Sequence, residues 1–342
     1  MTIPATMKVA QVYERGATHF EIEHVPTPEP GPGQVLIRVE SAGVNFSDVK
    51  RRRGDTYPFA TEFPYVPGGE IAGTVVAHGA GVDGPALGTP VFALAGSNGY
   101  GGYAQFAVSY AQTAVPVPSA MDLDVAAVLL VAGATAKLML SQAASLQPGE
   151  SLLVPAATGG VGSFTLQIAR QIGAGLIIAA IGDESKREKA LALGAHAVVN
   201  YAVPDWPMQV RELSKDAGVD VALEASGGPA LEQTLSCLAP FGRLVVFGAA
   251  SGRSSTLSLA ALDQFLYAPA PNQTLTGFNV GSYFADRPTL AAAALGELIE
   301  DVLAGHVRPP NIQTLPLHEA ARAHALLEAR QVTGKLVIKP WE

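Results

Sequence analysis

The chain has 342 residues, of which 48% are hydrophobic and only 15% charged. That length accommodates two domains with a large core, and the apolar, glycine-rich composition excludes a disordered chain. A net charge of −8 excludes a general nucleic-acid surface, and the single cysteine, Cys237, excludes an internal disulfide.

In chain order, the start MTIPATMKVAQVY lacks the long apolar core of a secretion signal, so a cytoplasmic protein is expected. Val35–Val39, Ile71–Val76 and Pro90–Leu94 read as strands, separated by turns at Pro30–Gly33 and Gly79–Gly84. The basic run Lys50–Arg53 adjoins Asp48 and Asp55 and reads as a solvated loop. This first third is an irregular β domain. Asp122–Ser145 then reads as helix. Its apolar part, Val125–Leu140, is interrupted by Lys137 and is shorter than a bilayer-spanning helix, so no membrane association is expected.

From Ser151 the pattern becomes βα. Strand Leu152–Pro155 precedes helix Gly160–Ile172, strand Leu176–Ile181, helix Lys186–Leu193 and strand Ala197–Val199. A helix near Pro207–Ala217, strand Val219–Glu224, helix Ala230–Leu238 and strand Arg243–Phe247 follow. Apolar strands alternating with helices predict a parallel sheet covered on both faces. Cys237 falls on an amphipathic stretch, Leu231–Pro240, as a buried structural thiol. Helices Leu290–Ala304 and His318–Ala329 and a closing strand Gly334–Ile338 complete the chain. The fold class is α/β: a β-rich domain (1–126 and 269–342) with a doubly wound Rossmann domain (127–268) inserted.

The segment SLLVPAATGGVG, Ser151–Gly162, joins a strand through a glycine turn to a helix. That order builds a dinucleotide pyrophosphate site, because small residues admit the phosphates to backbone N–H groups at the positive end of the helix. Thr158, Gly159, Gly160, Val161 and Gly162 are its candidate residues, with Ala157 at the usual first glycine position. A glycine turn that merely connects two elements is the plainer alternative.

These pieces resemble the zinc-independent quinone oxidoreductase branch of the medium-chain dehydrogenase/reductase family. The resemblance rests on AGVNFSDVKRRRG (42–54), YVPGGEIAGTV (65–75), AATGGVG (156–162), LGAHAVVNY (193–201), GGPALEQTLSCLAPFGRLVVFGAASG (227–252) and TGKLVIKP (333–340). It implies that the β-rich domain is GroES-like, that the protein is a homodimer or homotetramer, and that the active site lies between the two domains. In the zinc-dependent relatives a ligand cysteine would fall at Asn45 and a ligand histidine at Gly69. Neither is present, the histidines show no zinc spacing, and no metal is expected. Solvated or capping roles suit the seven histidines.

The position of an NAD-binding acid at the end of the second strand is Ile181. The resemblance instead implies a 2′-phosphate pocket of Lys186, Tyr201 and Arg330, with Gly182 as a further cofactor contact, so NADPH is expected over NADH. Asp183 would either repel that phosphate or bond the ribose. Thr135, Phe247, Gly248, Phe278 and Val280 carry over as contacts of the nicotinamide half, although packing alone would explain either phenylalanine. The expected reaction is hydride transfer to a quinone or an α,β-unsaturated carbonyl. Asn45 is the candidate donor to the developing oxyanion and also a cofactor contact. Asp48 would orient loop backbone or the nicotinamide ribose, and Tyr57 would donate a proton unless Tyr57-Pro58 is only a turn. Lys50 and Lys137 stand where aromatic residues are common, and are either exposed or directed at an anionic acceptor. Two other readings stay open: an enoyl-thioester reductase, and an NADPH-binding structural or regulatory protein without turnover.

Overall fold

The computed structural model describes residues 2–55, 57, 60–96, 98–253, 255–268 and 272–342. Pro58 and the expected domain boundary at residue 269 lie outside them. By backbone packing the chain forms two units: Met1–Val131 with Asn311–Glu342, and Ala132–Pro310.

Unit 1 opens with strands β1 (Thr6–Gln11), β2 (Glu21–Pro26) and β3 (Gln34–Gly43), helix α1 (Phe46–Arg53), strands β4 (Glu70–His78), β5 (Pro90–Leu94), β6 (Phe106–Tyr110) and β7 (Val115–Pro116), and helix α2 (Leu123–Val128). Unit 2 contributes α3 (Ala134–Leu138), β8 (Ser151–Pro155), α4 (Gly160–Ile172), β9 (Leu176–Ile181), α5 (Arg187–Ala192), β10 (Ala197–Asn200), α6 (Trp206–Leu213), β11 (Val219–Glu224), α7 (Ala230–Leu235), β12 (Leu238–Val246), α8 (Leu259–Tyr267), β13 (Thr274–Gly277), α9 (Val280–Asp286) and α10 (Pro288–Leu303). The chain returns to unit 1 for β14 (Ile312–Pro316), α11 (Ala320–Glu328) and β15 (Lys335–Lys339).

Unit 1 is built on a seven-stranded sheet in the order β14-β15-β3-β4-β5-β7, with β6 also on β3. The ten-residue β3 is its hub, because two register shifts against β4 bend it enough to serve several neighbours. Val35, Ile37, Val39, Ile71, Val75, Leu336 and Ile338 fill the core beneath it. Each such aliphatic side chain contributes about 1.5–3 kcal/mol by leaving water.

Unit 2 carries a six-stranded parallel sheet in the order β10-β9-β8-β11-β12-β13. Numbered from β8, this is the Rossmann order 3-2-1-4-5-6, and it places the reversal of winding between β8 and β11. β9 is buried along nearly its whole length, as a strand covered by helices on both faces must be. Residues 272–310, expected with the β-rich domain, pack in unit 2: β13 pairs with β12, and α10 lies against α3. One more parallel strand satisfies the open edge of β12, which the sequence pattern of a short TLTG run did not reveal.

Three sequence expectations are corrected. Lys50–Arg53 is no solvated loop but the last turn of α1, where Arg51 and Arg52 are among the largest fully buried side chains. α7 ends at Leu235, so Cys237 lies beyond it, where burial pushes its thiol up to about 12. The helix expected at Asp122–Ser145 runs over Leu123–Ala143, including π-helical stretches at Leu129–Gly133 and Met139–Ala143, and, contrary to expectation, is long and apolar enough to cross a membrane. However, 72% of that window is buried inside the protein, as in a core helix.

Candidate active site

In unit 1 the candidate residues converge on the N-terminus of α1. Asn45 is the N-cap residue in extended conformation, and its backbone N–H donates to Asp48 Oδ2 at 2.8 Å. Asp48 Oδ1 accepts from the Gly68 N–H at 3.1 Å, so this carboxylate ties α1 to the Gly68–Glu70 turn. Asp48 is fully buried, and desolvation pushes its pKa up to about 6 against the two backbone bonds and the distant pull of Lys335. It orients loop backbone, one of the two roles expected of it.

The Asn45 side chain sits in a buried ionic cluster. Its Nδ2 donates to Glu70 Oε1 at 2.9 Å, and its Oδ1 accepts from Lys335 Nζ at 2.7 Å. Lys335 Nζ also donates to Glu70 Oε1 at 2.8 Å and to the Val44 carbonyl at 3.0 Å. The second Glu70 oxygen accepts from the Val131 N–H at 2.8 Å, which belongs to the first π-helical stretch. Glu70 and Lys335 are both buried, so the pair stands only because every polar atom in it is bonded.

Beyond Asp48, Arg51 threads between loops. Its guanidinium donates to Thr61 Oγ1 and to the carbonyls of Asn98 and Gly99, and its carbon lies 5.0–5.2 Å from the ring centres of Tyr57, Tyr65 and Tyr100. Stacking and hydrogen bonds together offset the loss of water around the charge. Tyr57 is thus held beside Arg51. Its pKa is raised, first by burial and then by Asp48, so it keeps its proton near neutrality. On the next turn Arg52 bonds the Ala17 carbonyl, Glu328 and His324 Nδ1, and His324 Nε2 meets the Tyr103 hydroxyl. His324 is therefore a buried member of a clamp between α1 and α11, not the solvated or capping histidine expected, and burial pushes its pKa down to about 3.

The two positions that would carry zinc ligands do not offer a ligand set: Asn45 presents an amide already bonded at both ends, and Gly69 has no side chain, with a Cβ there standing a tight 3.1 Å from the Gly99 carbonyl. Among the described residues no cluster of three His, Cys, Asp or Glu has metal-binding geometry.

In unit 2 the candidate residues gather at the carboxyl ends of the parallel strands, the ligand-bearing edge of such sheets. After β8, Ala156 turns in left-handed conformation (φ 45°) and Thr158 is buried. Gly159 caps α4, whose first-turn N–H groups at Gly160, Val161 and Gly162 have no carbonyl one turn back. At Gly162 a Cβ would stand 2.5 Å from the Ala156 carbonyl and 2.7 Å from the Ala157 Cα. Glycine is therefore required there for the turn to close against the start of α4. After β9, a Gly182 Cβ would meet the Tyr201 ring and hydroxyl at 2.6–2.9 Å, so these two are brought together. Asp183 Oδ1 accepts from the Ser185 N–H at 2.9 Å and from Ser185 Oγ at 2.5 Å, which lowers its pKa. Lys186 closes that 3-10 turn.

Phe247 donates its N–H to the Glu224 carbonyl at 2.9 Å, beside Gly248, and Phe278 donates to the Val246 carbonyl at 2.8 Å just before Val280 opens α9. The Phe278 ring, buried, packs 5.3 Å from Tyr283. Thr135 is buried in α3. Lys137 is neither exposed nor unpaired, since it bridges to Glu297 at 2.9 Å and Asp301 at 3.8 Å on α10. Lys50 is half-buried on α1. Arg330 belongs to unit 1, after α11, at a left-handed φ of 57°.

Glu70, Lys335 and Arg51 were not singled out by sequence reasoning. The available signal was a lone acid heading EIAGTV and a lone base heading KLVI, two otherwise apolar strands.

Residues 31–119 match the alcohol dehydrogenase GroES-like domain, and residues 160–296 match the zinc-binding dehydrogenase family. A 2-haloacrylate reductase from Burkholderia sp is 34% identical, over 95% of this chain and 96% of its own length. A quinone oxidoreductase from Pseudomonas aeruginosa is 35% identical, over 95% of this chain and 97% of its own. Among solved structures, Escherichia coli quinone oxidoreductase complexed with NADPH aligns with a TM-score of 0.87 at 27% identity, over 97% of this chain and all of that one.

Proposed function

The chain belongs to the quinone oxidoreductase branch of the medium-chain dehydrogenase/reductase family, and from that premise we propose that it is a metal-free, NADPH-dependent reductase of quinones or α,β-unsaturated carbonyls. The observation that carries this reading is the Asn45–Lys335–Glu70 cluster, where an amide braced by an ammonium replaces a metal-ligand set. When bound, NADPH would supply a hydride to the β-carbon of the acceptor, or to the quinone. Asn45 donates a hydrogen bond to the acceptor oxygen as negative charge develops there, and water supplies the proton that completes the saturated carbonyl or hydroquinone. Tyr57, which keeps its proton, adds a neutral hydroxyl donor instead of acting as an acid of lowered pKa.

NADPH would lie with its pyrophosphate on the first turn of α4 and its 2′-phosphate on Lys186 and Tyr201. Thr135, Phe247, Gly248, Phe278 and Val280 would take the nicotinamide half. The engagement of Asp183 Oδ1 with Ser185 supports this preference, because it directs one of the two carboxylate oxygens into its own turn. A soluble, cytoplasmic homodimer is part of the reading. It is supported by β13 as the last strand of its sheet and by the exposed Leu259, Leu262, Leu266 and Tyr267 of α8.

The test is steady-state NADPH oxidation against 1,4-benzoquinone, 9,10-phenanthrenequinone, 2-chloroacrylate, an enal and crotonyl-CoA, in parallel with NADH. Turnover of a quinone, an enal or the haloacrylate with NADPH supports the reading. Binding of NADPH with no acceptor reduced would leave a binding protein.

A further inference from the structure

The Asn45 amide has two orientations that differ only by exchange of oxygen and nitrogen, and its surroundings select one. An ammonium only donates and a carboxylate only accepts. Lys335 Nζ at 2.7 Å therefore fixes Oδ1, and Glu70 Oε1 at 2.9 Å fixes Nδ2. One Nδ2–H is spent on Glu70. The other is the only polar hydrogen of the side chain left over, and Asn45, unlike its two partners, is only half-buried.

Lys335 is equally constrained. Its three N–H bonds match three acceptors, the Val44 carbonyl, Asn45 Oδ1 and Glu70 Oε1, at 2.7–3.0 Å. It enters from β15, which is registered on β3 through Val337 with Gly43 and Ile338 with Ala42, so the ammonium is anchored by the sheet itself. An ammonium on the amide oxygen also draws electron density from the nitrogen and strengthens the remaining N–H as a donor.

We propose that Lys335 is a positioning residue for turnover: it holds the Asn45 amide in one orientation and polarises it, so that the free N–H meets the developing oxyanion. This rests on the reading of Asn45 given above. The positive charge is supplied by the chain, in a site whose residues do not fit a metal. Glu70 is the counter-charge that lets the ammonium stay buried, and it bonds the second edge of the same amide.

The experiment compares Lys335→Met, Asn45→Ala and the double variant, each measured for kcat, for the KM of NADPH and for the isotope effect with NADPH deuterated at the transferred position. Removing one oxyanion donor costs on the order of 10²–10³ in turnover. Asn45→Ala is expected to lower kcat within that range. Lys335→Met should lower kcat by roughly 10- to 100-fold, leave the KM of NADPH within about threefold and raise the isotope effect, because the hydride step becomes limiting. The double variant should lose no more than Asn45→Ala alone, since Lys335 acts through that side chain. A damaged fold would scale down kcat through the active fraction while leaving the isotope effect unchanged. Glu70→Gln combined with Lys335→Met guards against misfolding, as it removes both buried charges together. It should bind NADPH like the parent and show the same loss of kcat. Losses that multiply in the double variant, or full turnover in Lys335→Met, overturn the role of Lys335 while leaving Asn45 as donor. Full turnover in Asn45→Ala overturns the oxyanion reading, and this inference with it.

Discussion

The two units prepare their chemistry in opposite ways. Unit 1 buries charges, Asp48, Arg51, Arg52, Glu70 and Lys335, and satisfies them with backbone and side-chain groups drawn largely from distant segments. Unit 2 offers mainly backbone: a glycine turn, free helix N–H groups and strand ends, with Lys186 half-buried nearby. A buried ionic site is costly to break, because removing one partner strands the other without water. A backbone site at a sheet edge is already solvated and should tolerate side-chain changes, which then register in binding rather than in folding.

The sharpest test of this contrast is Glu70→Ala, which leaves Lys335 buried without its carboxylate. We expect a loss of about 3–5 kcal/mol in urea unfolding, against little change for Lys186→Ala in the same assay. Equal small losses would erase the distinction between the units.

Next in size is a pH effect confined to unit 1. The Asp48 carboxyl titrates at about 6 in the folded protein and near the ordinary carboxylate value when unfolded. Between those values the folded state binds the extra proton, so this group lowers stability as pH rises from about 4 to about 6, by up to about 3 kcal/mol. Asp48→Asn should remove that slope, and denaturation curves of both proteins at pH 4, 5, 6 and 7 measure it. A parallel pH profile in the two proteins would show that the carboxylate is not desolvated.

The smallest expected effects lie in unit 2 and concern cofactor choice. Lys186→Ala should weaken NADPH by roughly 1.5–3 kcal/mol, as for one charge-assisted bond, and NADH much less. Asp183→Asn should change either affinity by less than about threefold, because Asn caps the Ser185 turn as Asp does. Calorimetric titration with both cofactors decides it. Equal weakening by Lys186→Ala would remove the phosphate assignment, and a large gain from Asp183→Asn would mean that its carboxylate repels the cofactor despite Ser185.

The same contrast governs what could be read from the chain. Gly159, Gly160 and Gly162 announced themselves because the motif proposed to hold the phosphates is local, a strand, a turn and a helix within a dozen residues. The edges of β5, β9, β11 and α4 were legible for a similar reason, since burial on both faces or along one stripe imposes a short period. The run Lys50–Arg53 misled because its composition is that of a surface. Only the carbonyls of Ala17 and Asn98, the ring of Tyr65 and the carboxylate of Glu328, far apart in sequence, make burial tolerable for its two middle arginines.

By itself, then, the sequence determined the parallel βα architecture, the glycine turn between β8 and α4 and the residues Asn45 and Gly69 at the two positions matched to zinc ligands, because each is written in contiguous residues. Tertiary structure decided that Asn45 would be held by Lys335 and Glu70. Residues 45, 70 and 335 meet only when β15 and β4 flank β3, and a pairing set by sheet order leaves no period or spacing in the chain.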